Sequence, residues 1–171
     1  LQLASGVVYR YEDPDDPSQG RDPIPVHTAK ETALETLVED VGGANVLILY
    51  NYVHEYERLL GLFPDSMDIA RDRGAIQAWN TRQISVATAH PASMAHGLNL
   101  QKGGNILIFF SPNPDSELVE QVIKRLHRGS IKEPVYVYYI TAKGTKDEHI
   151  LGLLDKKNAA QQRRMKRHEG V

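Results

Sequence analysis

Gln121, Arg125 and Arg128 stand four and three residues apart in the segment ELVEQVIKRLHRG. At about 100° per residue they form a polar stripe roughly 60° wide on a helix. Leu118, Val119, Val122, Ile123 and Leu126 centre roughly 130° away by the same geometry. Such a helix buries one face and carries two guanidiniums on another. Guanidinium forks take phosphate oxygens in pairs. Upstream lies a Gly-containing loop, HPASMAHGLNLQ, with Gly97 and Asn99. Two arginine forks beside that loop suit a polyphosphate. The plainer reading is a pair of surface arginines bridged to Glu117 or Glu120.

The elements that must position these groups follow from the apolar pattern. Residues 1–27 read as extended or loose, and YEDPDDPSQGRDPIP as a solvated loop. Thr28 and Glu31 predict a capping box opening a helix that Gly42-Gly43 stops. VLILY at 46–50, ISVAT at 84–88 and NILIFF at 105–110 are short continuous apolar runs, as expected of strands buried on both faces. A helix is predicted around 53–62, with Tyr56, Leu59 and Leu60 inward, then a weak strand over 67–70 and a short helix carrying Ile76 and Trp79. Trp79 is assigned to the core. VYVYYIT at 135–141 is a further strand, and Thr145 with Glu148 caps a last helix.

Strands alternating with helices predict an α/β domain with a parallel sheet covered on both faces. The active rim of such a sheet is the carboxyl ends of its strands. The loops after Tyr50, Thr88, Phe110 and Thr141 therefore surround the expected site. The organisation predicted is an amino-terminal segment over 1–27, the α/β domain over 28–155 and a basic helical tail over 156–171.

Composition narrows the function classes. With 171 residues and 41% hydrophobic content the chain can bury a core as one domain. A formal net charge of −2 gives no overall nucleic-acid signature, so an anionic partner needs a local patch. No cysteine is present, which excludes disulfides and cysteine-based zinc sites and fits a cytoplasmic setting. No apolar run nears the ~20 residues of a membrane span. The first residue is Leu1 rather than Met, so the expectation is a piece of a longer polypeptide with part of its chemistry upstream.

The order YNYVHEYERL, HPASMAHGLNLQ, QVIKRLHRG and VYVYYITAKGTKDEHIL resembles the second RecA-like domain of superfamily 2 helicases in the Swi/Snf branch. It is most similar to bacteriophage and prophage members and covers roughly residues 1–155. The resemblance implies a three-layer α/β/α sandwich of the P-loop NTPase second-domain type. It matches the first three of these segments to motifs IV, V and VI of that family. It implies that Arg128 is the arginine finger, Arg125 its partner, and Gly97, Asn99 and Gln121 nucleotide-site positions. It implies DNA contacts at Asn51, His54, His90 and Ser93, mostly to the backbone, in a helicase or translocase of a bacterial or phage-infected cell. ATP and Mg²⁺ would lie in a cleft shared with an amino-terminal RecA-like domain of the same polypeptide. The expected protein is a monomer with no membrane partner. The sequence departs from the family in two places. Gly129-Ser130 follows Arg128 where relatives carry a longer loop with Gln, and His90-Pro91 opens motif V where many carry Ser-Thr.

Other constellations have plain readings beside sharp ones. Asn51 and His54 follow a strand end and suit either a phosphate contact or a helix start. His90 and His96 lack a carboxylate or thiol at ligand spacing, so loop histidines are expected and no metal site. Asp147-Glu148 imitates the acidic tetrad of these helicases but sits in a capping box, and capping is the assignment. The basic tail (Lys156, Lys157, Arg163, Arg164, Lys166, Arg167) reads as a solvated charge run, with nucleic-acid binding as the alternative. No GxxxxGK[ST] loop exists anywhere, so the chain by itself is expected neither to hydrolyse ATP nor to bind it tightly. Two rivals remain in view: a non-catalytic binding module on a degenerate RecA-like fold, and a standalone α/β enzyme such as a phosphatase or nucleotide transferase, for which no convergent acid, base or nucleophile is found.

Overall fold

The structure is a computed structural model that describes residues 3–10, 22–95, 98–126 and 134–168. Arg128, Gly97, His96 and most of the acidic amino-terminal loop lie outside the described residues. Five strands form one parallel sheet: β3 (Val46–Leu49), β4 (Met67–Asp68), β5 (Val86–Ala89), β6 (Ile106–Phe109) and β7 (Tyr136–Tyr139). Their spatial order is β4-β5-β3-β6-β7. Val46 pairs with Val86 on one side and Ile106 on the other, so β3, β5 and β6 run in step and their carboxyl ends form one rim.

Alternate residues of each strand serve opposite faces, as a two-residue period requires. Val46, Ile48, Ile106 and Ile108 meet Leu34 of α1 (Ala29–Asp40) and Leu59 of α2 (Val53–Leu62) on one face. Leu47, Leu49, Leu107 and Phe109 meet Trp79 of α3 (Ala75–Asn80), Val119 and Val122 of α4 (Ser116–Leu126) and Ile150 of α5 (Lys146–His168) on the other. This is the three-layer α/β/α sandwich. The unbroken apolar runs are strands buried on both sides. β7, at the sheet edge, is only partly covered.

The amino-terminal segment, expected to be extended or loose, is extended where it is described and carries pairing the sequence did not show. β1 (Val7–Arg10) and β2 (Asp22–Pro25) pair antiparallel, and a 3-10 turn at Leu3–Ser5 precedes them. Two prolines in DPIP argue against a central strand, but a two-stranded ribbon is all edge and tolerates them. One capping expectation is revised and the other holds. Thr28 stands at the N-cap of α1 without a side-chain capping bond, and Glu31 is an ion-pair partner of Arg58 instead. At α5 the Thr145 hydroxyl accepts from Asp147 N (3.2 Å) while Glu148 accepts from Gly144 N (3.0 Å). Gly144 takes φ +73°, a conformation that L side chains rarely adopt, in the turn that aims α5. The tail continues α5 to His168 as one helix.

Candidate functional site

The carboxyl rim of the sheet gathers the loops after β3, β4, β5, β6 and β7. The loop after β6 reaches α4 through a chain of short polar turns. Asn113 Oδ1 accepts from Asp115 N (2.8 Å), and Asp115 Oδ1 accepts from Glu117 N and Leu118 N (3.0 and 3.1 Å). Asp115 thus caps α4 and places a carboxylate at the positive end of its dipole. Val119, Val122 and Leu126 are buried beneath the helix, as the stripe predicts. Gln121 is exposed and Arg125 half-buried on the remaining surface. Glu120 pairs with Lys124 at 2.9 Å, one turn on.

The loop after β5 packs on the same helix. The 3-10 turn Pro91–Ala95 is in contact with α4, and Met94, fully buried, joins Val119 and Val122 in one cluster. Further along, the loop is held by α3. Trp79 Nε1 donates to Leu100 O (2.8 Å), Asn80 Nδ2 donates to Asn99 O (2.7 Å), and Asn80 Oδ1 accepts from Lys102 N (3.2 Å). Asn99 is exposed with its carbonyl so engaged. The Trp79 assignment to the core is correct, and the residue also anchors this loop.

On the other half of the rim, His90 is half-buried with its ring edge-on to Tyr50 at 5.8 Å. Its Nδ1 accepts from Ala92 N (3.2 Å), and its carbonyl accepts from the Ser93 hydroxyl (2.7 Å). Next to it the Tyr50 hydroxyl donates to Asp68 Oδ2 (2.8 Å). Asp68 Oδ1 gathers the backbone N–H groups of Ala70 and Arg71 (2.9 and 3.0 Å). Burial, together with this hydrogen bond to a carboxylate, pushes the Tyr50 phenol well above its ordinary range. The turn so formed presents Arg71, exposed, with its guanidinium 4.2 Å from the Tyr56 ring centre and 5.9 Å from that of Tyr50. A guanidinium stacked on an aromatic keeps its fork in a set plane. The sequence reading missed Arg71. Its signal was available: a basic residue in the loop directly after a strand.

Two of the four residues assigned to DNA contacts are turned inward. His54 is 3% exposed, and both ring nitrogens are engaged, with Ser5 Oγ at 3.0 Å and Tyr9 OH at 2.8 Å. It clasps the amino-terminal segment onto α2, and a phosphate has no route to it, which corrects its assignment. Asn51 is half-buried with both ends of its amide occupied. Nδ2 donates to Ser111 O (2.9 Å), and Oδ1 accepts from Asn113 Nδ2 (2.8 Å). His90 and Ser93 stay at the rim.

Burial, aided by the nearby Arg58 charge, lowers the His54 pKa from 6.5 to about 4. The unfolded chain therefore binds a proton that the folded one refuses between those values. The contribution is complete above pH 6.5 and is lost as pH falls toward about 4. Thermal melts across this window should show a decline worth at most about 3 kcal/mol. His54→Gln should flatten that slope. A variant with an unchanged pH slope would refute the clasp.

A second feature lies under the rim and went unread in the sequence. Lys30 of α1 is 3% exposed. Its Nζ sits 2.7 Å from Asp147 Oδ2, 2.9 Å from Ser111 Oγ and 3.3 Å from Phe110 O. The Ser111 hydroxyl donates to Glu55 Oε1 (2.6 Å), and Glu55 Oε2 accepts from the N–H groups of Asn51 and Tyr52 (2.8 and 3.3 Å). Burial raises the Glu55 carboxyl, and the hydrogen bonds from Ser111 and Asn51 and the Lys30 charge pull the other way. Asp147, assigned to capping, accepts from Ala142 N (3.2 Å) ahead of α5 and is also the buried counter-ion of Lys30. No alternation or spacing marks such a set, because its members come from four separate elements. Among the described residues no group of three or more His, Cys, Asp or Glu side chains could hold a metal ion.

The architecture is that of a RecA-like α/β domain. The crystal structure of the C-terminal part of the Fun30 ATPase domain superposes with a TM-score of 0.64 at 19% sequence identity, over 73% of this chain and 44% of that one. In sequence the chain is 40% identical over 166 residues to protein p41 of Acyrthosiphon pisum secondary endosymbiont phage 1. That match takes in 94% of this chain and 35% of the phage protein, so the chain spans about a third of that relative's length. No family model matches the chain.

Proposed function

We propose that this chain is the carboxyl-terminal motor domain of a DNA-dependent ATPase, a helicase or translocase of phage or prophage origin. The observation that carries the reading is the packing of the turn Pro91–Ala95 on α4. It joins the start of the HPASMAHGLNLQ segment to α4 at the rim where α/β sheets bind ligands. ATP with Mg²⁺ would be gripped mainly by an amino-terminal RecA-like domain of the same polypeptide. The residues present here fit the γ-phosphate end of such a nucleotide. They offer an exposed amide at Gln121 and a guanidinium at Arg125, but no phosphate loop.

In this reading Arg128, with Arg125 beside it, stabilises the charge that develops on the transferring phosphoryl group. Gln121, Gly97 and Asn99 line the cleft wall and sense its closure. His90, Ser93 and the stacked Arg71 hold DNA by its phosphates, so binding is indifferent to sequence and sensitive to salt. Opening and closing of the cleft then moves the domain along the track. The sequence Gly129-Ser130 after Arg128, where the family carries Arg-x-Gly-Gln, favours a second reading, a module that binds without taking part in hydrolysis.

One assay separates them. The polypeptide that carries both domains should hydrolyse ATP in a DNA-stimulated manner, and residues 1–171 alone should not. Substantial turnover by this chain alone would overturn the shared-site reading. Absence of turnover from the two-domain polypeptide would favour the binding module.

A further inference from the structure

The groups that hold α4 form one continuous line of hydrogen bonds and ion pairs. It starts at Asp147, in the first turn of α5, and passes to Lys30 of α1. Lys30 hands it to Ser111, at the end of β6, and Ser111 to Glu55 of α2. Glu55 gathers the backbone of Asn51. The Asn51 side chain reaches Asn113, and Asn113 sets the Asp115 that caps α4. Asp147, Lys30, Ser111 and Glu55 are all buried.

Such a line is unlike ordinary core. An apolar side chain packs almost equally well after a small slide, whereas a buried carboxylate or ammonium is tied to one set of partners. Ion pairs of this kind add little net stability over well-packed apolar residues, but they specify geometry in several systems. The geometry specified here is that of one loop, Ser111–Asp115. Both ends of that loop are held, Ser111 by Lys30 and Glu55, Asp115 by Asn113. The helix beginning at Ser116 carries Gln121 and Arg125.

We propose that Lys30, Asp147, Ser111, Glu55, Asn51 and Asn113 are positioning residues that fix the axial placement of α4, and with it Gln121 and Arg125 at the proposed phosphoryl site. The part that concerns catalysis rests on the function proposed above; the part that concerns α4 does not. None of the six touches the nucleotide. Their effect on rate comes through alignment, where a displacement of about 1 Å can cost roughly 100-fold. Asn51 thereby has a role that its position after a strand end did not suggest.

The test uses the two-domain polypeptide with two changes at the line. Lys30→Met with Asp147→Asn removes both charges with little change in volume and leaves an acceptor for Ala142 N, which spares the fold. Ser111→Ala breaks the line at its middle, and Ser111→Thr keeps the hydroxyl. The charge-free pair and Ser111→Ala should keep Tm within a few degrees and the KM for ATP within about twofold. Their kcat should fall between about 10- and 100-fold, as expected of a lost alignment. Ser111→Thr should restore most of it.

Hydrogen exchange of the amides from Val119 to Arg125 reads the helix directly and needs no activity. Faster exchange there with an unchanged Tm supports the placement role even if the parent polypeptide proves inactive, in which case only the motor reading falls. Unchanged exchange in both variants overturns the proposal. So does loosened exchange with an unchanged kcat, which would sever α4 placement from turnover. Should the charge-free pair fail to fold, Ser111→Ala against Ser111→Thr decides the matter alone.

Discussion

Arg128→Ala, in the polypeptide that carries both RecA-like domains, is expected to lower DNA-stimulated ATP hydrolysis by about 10³-fold or more, the scale on which arginine fingers act. ATP binding should stay within a few-fold of the parent, because in the proposed function the ground-state nucleotide is held chiefly by the amino-terminal domain. The reasoning is one of differential binding. A cation that meets the phosphoryl oxygens only when the cleft closes stabilises the transition state and contributes little before it. Arg128→Lys should rescue poorly, since an ammonium cannot reproduce the two-pronged, planar contact. Steady-state kinetics with a fluorescent-nucleotide titration would measure both quantities. Near-normal turnover in Arg128→Ala would end the finger assignment. A parallel loss of binding and turnover would instead mean that Arg128 holds the ground state.

Trp79→Ala should have the largest effect on stability. The indole is fully buried against the loop after β5. A Cβ added at Gly103 would come within 2.3 Å of its Nε1, so the backbone passes flat against the ring. Its N–H also satisfies Leu100 O at 2.8 Å. Truncation leaves a cavity and an unmet carbonyl, at a cost of about 3–5 kcal/mol. Trp79→Phe keeps much of the volume and loses the hydrogen bond, so it should fall between. Urea unfolding of the three proteins would measure the differences. A loss below about 1 kcal/mol in Trp79→Ala would mean that the loop is held without the ring. Because the same loop carries Asn99, Trp79→Phe should also depress turnover in the two-domain polypeptide more than its stability alone explains.

The sheet was legible because buried parallel strands leave an unmistakable trace. VLIL, VATA and ILIF contain no charge, and each proved to be a strand buried along its whole length. The α4 stripe was legible for a similar reason: one helix with one buried face imposes its period on a single stretch of chain. What escaped the reading involved residues brought together from afar. DPIP looked like part of a solvated loop and pairs with Val7–Arg10. His54 looked like a rim residue and faces the amino-terminal segment, because its direction depends on how α2 is rotated and not on its place after a strand. Lys30 drew no reading from the sequence and is 3% exposed.

By itself, then, the amino-acid order determined the α/β class, the strands of the parallel sheet and the helices around it, the loops that meet at the carboxyl rim and the order of the candidate phosphate-binding residues. These are local matters, decided by periodicity over a few residues. The tertiary structure alone decided which polar side chains face one another beneath that rim. Lys30 and Asp147 are 117 residues apart (147 − 30) and meet at 2.7 Å. A pairing across that separation leaves no period in the chain, because it exists only once the sheet has set five elements side by side.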